Sequence, residues 1–287
     1  MRVGTMLEAA AACLLFAAAL ILAPAPAAHA QSGKPPTVAP DRCLAMSQAP
    51  GRTRFGAAAP PSLVQLAQLK PGDVRFSYVG HSTFLIETPR GVRIATDYND
   101  YVRPSVVPEI ATMNRAHTTH YTNSPDPSIR HVLRGWNPDG GAAQHDITLE
   151  DVRVRNIPTN IRSYSGGTDV WGNSIFVFEV ANLCIGHLGH LHHTLTTQQL
   201  AQIGQLDIVL VSVDGSFTLD VTGMIDVLKA LRAPLMIPMH YFSSFTLERF
   251  LHDARPAFEV EMNEVPTIVV SRATLPKTPK ILVLPGN

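Results

Sequence analysis

Twelve histidines in 287 residues could build a metal centre only if the chain gathers several of them, and their placement points that way. In "TMNRAHTTHYTN", residues 112–123, His117 and His120 stand three apart just after a short apolar run, with Arg115 two residues before the first. In "IGHLGHLHHTL", residues 185–195, four histidines fall within seven residues, and in "IPMHYF" His240 directly follows an apolar run. His81, in "YVGHSTF", stands in the same position after a strand-like run. Neutral imidazole is the commonest ligand for zinc and similar ions, and three or four nitrogens about 2.0–2.1 Å from one point would hold one.

Each candidate also has an everyday reading. His187 lies at a strand end and can bond a backbone carbonyl, whereas His190, three positions on with a glycine between, shares its turn and points to a site role. His192 and His193 suit the exposed start of a helix, and His240 can be a satisfied buried histidine or a ligand. Asp97, ending "RIATD", and Asp214, in "VSVDGS", bring carboxylates to the same rim, where either can take up a proton in general-base catalysis. An aspartate before glycine is equally a turn former. The aromatics after His240, Tyr241 first, can wall a pocket.

The elements that must position these residues can be read from periodicity. "VRFSYVG" and "TFLIETPRGVRIATD" predict strands, with a hairpin at Pro89-Arg90-Gly91 and Asp97 at a strand end, and "PEIATMN" predicts a strand leading into His117. Residues 124–141, broken by prolines and glycines, predict a long surface loop. "DITLEDVRVRNIPT" and "NSIFVFEVANLCIGHL" add strands, the latter pair turning at Ala181-Asn182. Then "TTQQLAQIG" and "DVTGMIDVLKALRAP" predict helices alternating with the buried strands "LDIVLVSVDG" and "LMIPMHY". Strands first, then strand–helix alternation, favour an α/β protein with sheets packed between helices.

Composition narrows the partners. The formal net charge is zero with 16% charged residues and 45% hydrophobic ones, and no basic stripe would track a phosphate backbone, so no nucleic-acid partner is expected. One early arginine, the apolar stretch Ala9–Leu22, helix-breaking prolines and Ala28-His29-Ala30 predict a signal peptide over 1–30, hence a periplasmic or secreted protein with no membrane anchor after cleavage. A proline- and alanine-rich lead-in follows at 31–61, and the folded domain is expected over 62–287. Cleavage leaves Cys43 and Cys184, so one bridge at most can form, and a buried free thiol at Cys184 is the alternative.

Together, "YVGHSTFLIET", Asp97, "GNSIFVFE", "CIGHLGHL", "LVSVDG" and "LMIPMHYF" resemble the metallo-β-lactamase superfamily in order and spacing, in particular its ascorbate-lactonase-like branch, from about Asp73 to Phe250. The resemblance implies a four-layer αββα sandwich with a one- or two-metal site, usually zinc, that activates water to attack an ester, amide, lactone or phosphoester. It also exposes departures. Against the family's H-x-H-x-D-H, Arg115 takes the first histidine position and Thr119 the aspartate, while His117 and His120 match. Asn160 falls where the family has an isolated histidine, and His190 where it has the aspartate of H-x-G-D.

Without those carboxylates a dinuclear site loses the anionic groups that offset two dications. The expectation is one ion, zinc or else iron or manganese, held by His117, His120, His190 and His240, with His81, Arg115, Asn160, His187 and Tyr241 toward the substrate. Arg115 opposes this: a guanidinium about 5 Å from a dication would cost roughly 6–7 kcal/mol at a dielectric near 20, so it swings away or the metal is absent. The competing readings are a non-catalytic module that holds an anionic small molecule with Arg115, and a metal buffer with several loosely held ions.

Overall fold

The computed structural model describes residues 43–44, 69–163 and 165–286. The expected signal peptide, almost all of the lead-in and the start of the domain at Ser62 lie outside the described residues.

Strand β1 (Asp73–Gly80) pairs antiparallel with β2 (Thr83–Glu87), and β2 with β3 (Arg93–Ala95) across the Pro89-Arg90-Gly91 turn, in the register Glu87 opposite Arg93. β4 (Ile110–Met113) then adds parallel to β3. The segment at 124–141 is not all loop, because "HVLR" forms β5 (His131–Arg134) parallel to β4. Four residues without clear alternation carry little periodic signal, and the pairing itself stabilises this strand. β6 (Asp146–Leu149), β7 (Val152–Arg162), β8 (Thr168–Val180) and β9 (Leu183–His187) form an antiparallel run. Its tight turn is at Ala181-Asn182, both at positive φ (51° and 62°), as a two-residue primed turn requires.

Helix α1 (Thr197–Ile203) starts with a capping box between Thr196 and Gln199 and stops at Gly204. Strand β10 (Ile208–Ser212), α2 (Val221–Leu231, capped by Asp220) and β11 (Leu235–Met239) continue the parallel half of the sheet. α3 (Ser244–Ala254), β12 (Glu259–Met262), β13 (Thr267–Ser271) and β14 (Lys280–Val283) complete the chain.

Two mixed sheets result, in the orders β13-β1-β2-β3-β4-β5 and β12-β14-β11-β10-β9-β8-β7-β6. Period-two alternation sorts each buried strand between two cores. Phe176, Phe178 and Leu210 meet Phe76, Ile86 and Ile110 between the sheets, while Val177, Val209 and Val211 face Leu228, Phe250 and Leu251 of the helices. On the outer face of the six-stranded sheet, Ala111, Met113 and Ile129 are covered by Tyr121 and Trp136 from loops, so among the described residues the helical cover lies on the larger sheet. Cys43 and Cys184 are bonded, which settles the alternative left open by the sequence. No described helix is long and apolar enough to cross a membrane.

Candidate metal centre

The parallel strands β3, β4, β9, β10 and β11 all deliver their C-terminal ends to one rim, the place where open α/β sheets build sites. Asp97 follows β3, the 114–120 loop follows β4, His190 follows β9, Asp214 follows β10 and His240 follows β11. Two of these rim residues, Asp97 (φ 43°) and His240 (φ 57°), adopt left-handed backbone, as does His81 (φ 51°) just past β1. Such conformations are costly for non-glycine residues and persist only where surroundings enforce them. One such restraint is the bond from the His240 amide to the His81 carbonyl, 2.7 Å.

The rings converge. Ligand atoms of His81, His117, His120 and His240 lie within 4.8 Å of one another. His190 packs beside them, its ring centroid 4.8 Å from those of His117 and His120 and 4.9 Å from that of His240. The nearest pairs are His120 Nε2 to His240 Nε2 at 3.1 Å and His117 Nε2 to His190 Nε2 at 3.0 Å. His81, expected toward the substrate, thus belongs with the potential ligands.

Behind the rings stand the two aspartates. Asp97 Oδ2 accepts from His120 Nδ1 at 2.6 Å while its Oδ1 accepts from Asn114, and Asp214 Oδ1 faces His240 Nδ1 at 3.0 Å. Asp214 also accepts from Ser216, Phe217 and Thr218, and these bonds with His240 hold its carboxyl far below the usual carboxylate range despite burial. Burial pushes Asp97 up, opposed by His187, Asn114 and Ser82. Both aspartates are fully buried. Each aspartate thus stands behind a histidine ring, in the place of the carboxylates that fix ring and tautomer of metal-binding histidines.

This arrangement tests whether a cation fits. A carboxylate can only accept, so His120 and His240 each carry a proton on Nδ1, and two neutral rings in this arrangement would face each other with Nε2 lone pairs at 3.1 Å. Two lone pairs that close repel unless something positive lies between them. Nitrogens sharing one tetrahedral zinc at about 2.0–2.1 Å are separated by roughly 3.3 Å, so the observed spacing suits a shared ion. Burial is the main cause that pushes His120 and His190 well down, His117 down, and His81 down to about 3, keeping these rings neutral and available as donors at neutral pH.

The remaining predicted residues separate. His187 is fully buried, facing the Ser82 carbonyl at 3.1 Å with Nδ1 unpaired, so it belongs to the scaffold and not to a substrate surface. Tyr241 turns inward, its hydroxyl donating to the Leu284 carbonyl. The next residue, Phe242, takes the wall position instead, 56% exposed, 5.3 Å from the His240 ring and 5.4 Å from Phe217. Asn160 is tied up by the Trp171 amide, which donates to Oδ1 at 3.0 Å, and by His193, which accepts from its backbone amide. Arg115 has swung to Asp169, 3.8 Å away, on a cleft of about 630 Å³ that also borders His117, Tyr121 and Arg162.

Sequence reasoning missed Asn114 and Asn173, which brace the rim. Asn114 joins Asp97 to the Ser174 amide, and Asn173 accepts from the His190 amide at 2.8 Å and donates to Thr159 and Leu188. Gly189, at φ 60°, lies so close to both that a β-carbon would come within 2.4 Å of each. A polar asparagine heading the apolar run "NSIFVFE" was the available signal.

Comparison with known proteins agrees with this geometry. The beta-lactamase superfamily domain model matches residues 75–240, and the chain belongs to that superfamily. Among its relatives is a UPF0173 metal-dependent hydrolase of Thermoplasma volcanium, 26% identical over 191 residues that span 59% of this chain and 84% of the relative. Among solved structures, a candidate Zn-dependent hydrolase of the metallo-β-lactamase superfamily from Thermotoga maritima is 26% identical with a TM-score of 0.55, covering 75% of this chain and all of the other. A candidate metal-dependent hydrolase from Parabacteroides distasonis, 12% identical with a TM-score of 0.51, covering 63% of this chain and 87% of the other, shares the fold.

Proposed function

We propose that this chain is a metal-dependent hydrolase that works with a single divalent cation on an ester, lactone, amide or phosphoester. The observation that carries the reading is the facing pair of His120 and His240 nitrogens, each backed by a buried carboxylate. Relatives named as metal-dependent hydrolases support it.

His117, His120 and His240 would hold the ion through Nε2, with His81 alongside. Imidazole donors suit zinc, with iron or manganese as alternatives. When bound, the cation supplies Lewis-acid activation of water and of the scissile carbonyl or phosphoryl group. The protein's own part is orientation: Asp97 and Asp214 keep the Nδ1 protons of His120 and His240 in place. Apolar substrate atoms would lie on Phe217 and Phe242, and polar ones in the cleft beside Arg115. The signal-like N-terminus and the Cys43–Cys184 bond support a periplasmic or secreted location.

Metal analysis of untagged protein, coupled to a panel of chromogenic esters, lactones and phosphoesters, tests this reading. About one equivalent of metal and chelator-sensitive turnover are expected, whereas less than about a tenth of an equivalent, with no uptake on titration, would overturn it. A second reading, a non-catalytic anion-binding module, draws on the half-exposed Arg115 and its long contact to Asp169. It predicts thermal stabilisation by phosphate or carboxylates without turnover, lost in Arg115→Ala.

A further inference from the structure

One hydrogen-bonded chain runs through the site and has a direction. Arg162 Nε donates to His192 Nδ1 at 2.9 Å, and because a guanidinium has no acceptor, that nitrogen must carry a lone pair. His192, neutral, then holds its proton on Nε2, which faces His190 Nδ1 at 2.6 Å. His190 in turn holds its proton on Nε2 and points it at His117 Nε2, 3.0 Å away. The order continues outward to Thr119, since His117 Nδ1 donates to Thr119 Oγ1 at 2.7 Å, and that hydroxyl lies 2.9 Å from His81 Nε2, where either partner can donate. Arg162 itself is anchored by bonds from its Nη2 to the carbonyls of Ser216, Phe217 and Thr218.

We infer that Arg162 is a positioning residue that sets the proton order of the histidine cluster, leaving His117 as a lone-pair donor and making His190 a hydrogen-bond donor rather than a metal ligand. His190 stands where the superfamily motif has a carboxylate, so the substitution exchanges for an N–H one of the anions that a second cation would need. The His117 lone pair that accepts the His190 proton is also the one a cation would take. With that lone pair taken up by a cation, the His190 N–H would be left without its acceptor and could instead donate to a substrate oxygen. This last step rests on the hydrolase reading; the proton order does not.

The same parity argument excludes the reverse order. If His190 offered an Nε2 lone pair, its Nδ1 proton would require a lone pair on His192 Nε2, placing a proton on His192 Nδ1 against the Arg162 donor.

Long-range 1H–15N correlation of the histidine rings in the full chain, isotope-labelled and stripped of metal, reads the order directly, with His190→Asn and His192→Asn for assignment. Protons on Nε2 of His192 and His190 and on Nδ1 of His117 are expected, and a proton on His190 Nδ1 would overturn the inference. Arg162→Met should mix the tautomers and Arg162→Lys, which keeps a donor, should restore them; an unchanged pattern in a folded Arg162→Met protein would remove Arg162 from the account. Zinc titration supplies the second arm. His190→Ala should still take one equivalent of zinc, and loss of uptake in the folded variant would show that His190 is a ligand after all. Because the tautomers are read without metal, failure of the hydrolase reading would appear separately, as no zinc uptake by the unsubstituted chain.

Discussion

His120 and His240, 120 residues apart in sequence, face each other Nε2 to Nε2 at 3.1 Å, each with a buried aspartate against its other ring nitrogen. This relationship makes the strand-end histidines a centre rather than a collection. The loop after β4 brings one ring and its aspartate lies after β3, while β11 brings the other and its aspartate lies after β10.

Removing an orienting carboxylate should weaken metal binding without abolishing it. Asp214→Asn leaves a partner for His240 but lets the amide donate to Nδ1 and reverse the tautomer, so zinc affinity measured against a competing chelator should fall about 10–100-fold. Asp97→Asn should act likewise through His120. Unchanged affinity in both variants would deny the orienting role.

Loss of a ligand ring should be more severe. His240→Ala removes one nitrogen and leaves Asp214 with one partner fewer in a fully buried position. Zinc uptake should disappear, and chemical denaturation of the metal-free protein should show a loss of about 1–3 kcal/mol. A variant that retains full-affinity zinc binding would place the ion elsewhere.

The depressed histidines make a pH prediction whose sign is fixed. Burial lowers His81 to about 3 and burial plus Arg162 lowers His192 to about 4, from 6.5 for a free imidazole. Between those values and 6.5 the unfolded chain binds more protons than the folded one, so stability is present above pH 6.5 and is lost as pH falls toward 4. The melting temperature of the metal-free protein should decline across that window; a flat profile would mean the rings are not held neutral.

Reduction of the Cys43–Cys184 bond, which spans 141 residues, should destabilise the domain by about 2–5 kcal/mol. Cys43→Ser compared with the unsubstituted chain in a denaturation series measures it. The metal site should survive, because Cys184 lies at the start of β9 and the site lies beyond its end.

Much of this was legible in the sequence because strand ends are marked by apolar runs that stop abruptly. "LMIPMH", "LVSVD" and "RIATD" end on the residues that reach the rim. Which way each side chain faces past a strand end was not legible, because alternation stops with the strand. That is why Tyr241 turns onto the core and Phe242 onto the site, and why His187, the last residue of a strand buried on both faces, serves the scaffold. The role of Asp97 and Asp214 was hidden for a related reason: pairing with His120 and His240 is a contact between distant segments, which no local pattern records. α3 and β14 went unread although their buried positions repeat regularly, Leu247, Phe250, Leu251 and Ala254 along the helix and Ile281 and Val283 along the strand, whereas β12 and β13 are short and partly exposed.

The most direct test is X-ray absorption at the zinc edge on the full chain loaded with one equivalent of zinc. Three imidazole nitrogens at about 2.0–2.1 Å, reduced in number by His120→Ala, are the predicted result. A coordination shell without imidazole, or one that His117, His120 and His240 substitutions leave untouched, would contradict the account.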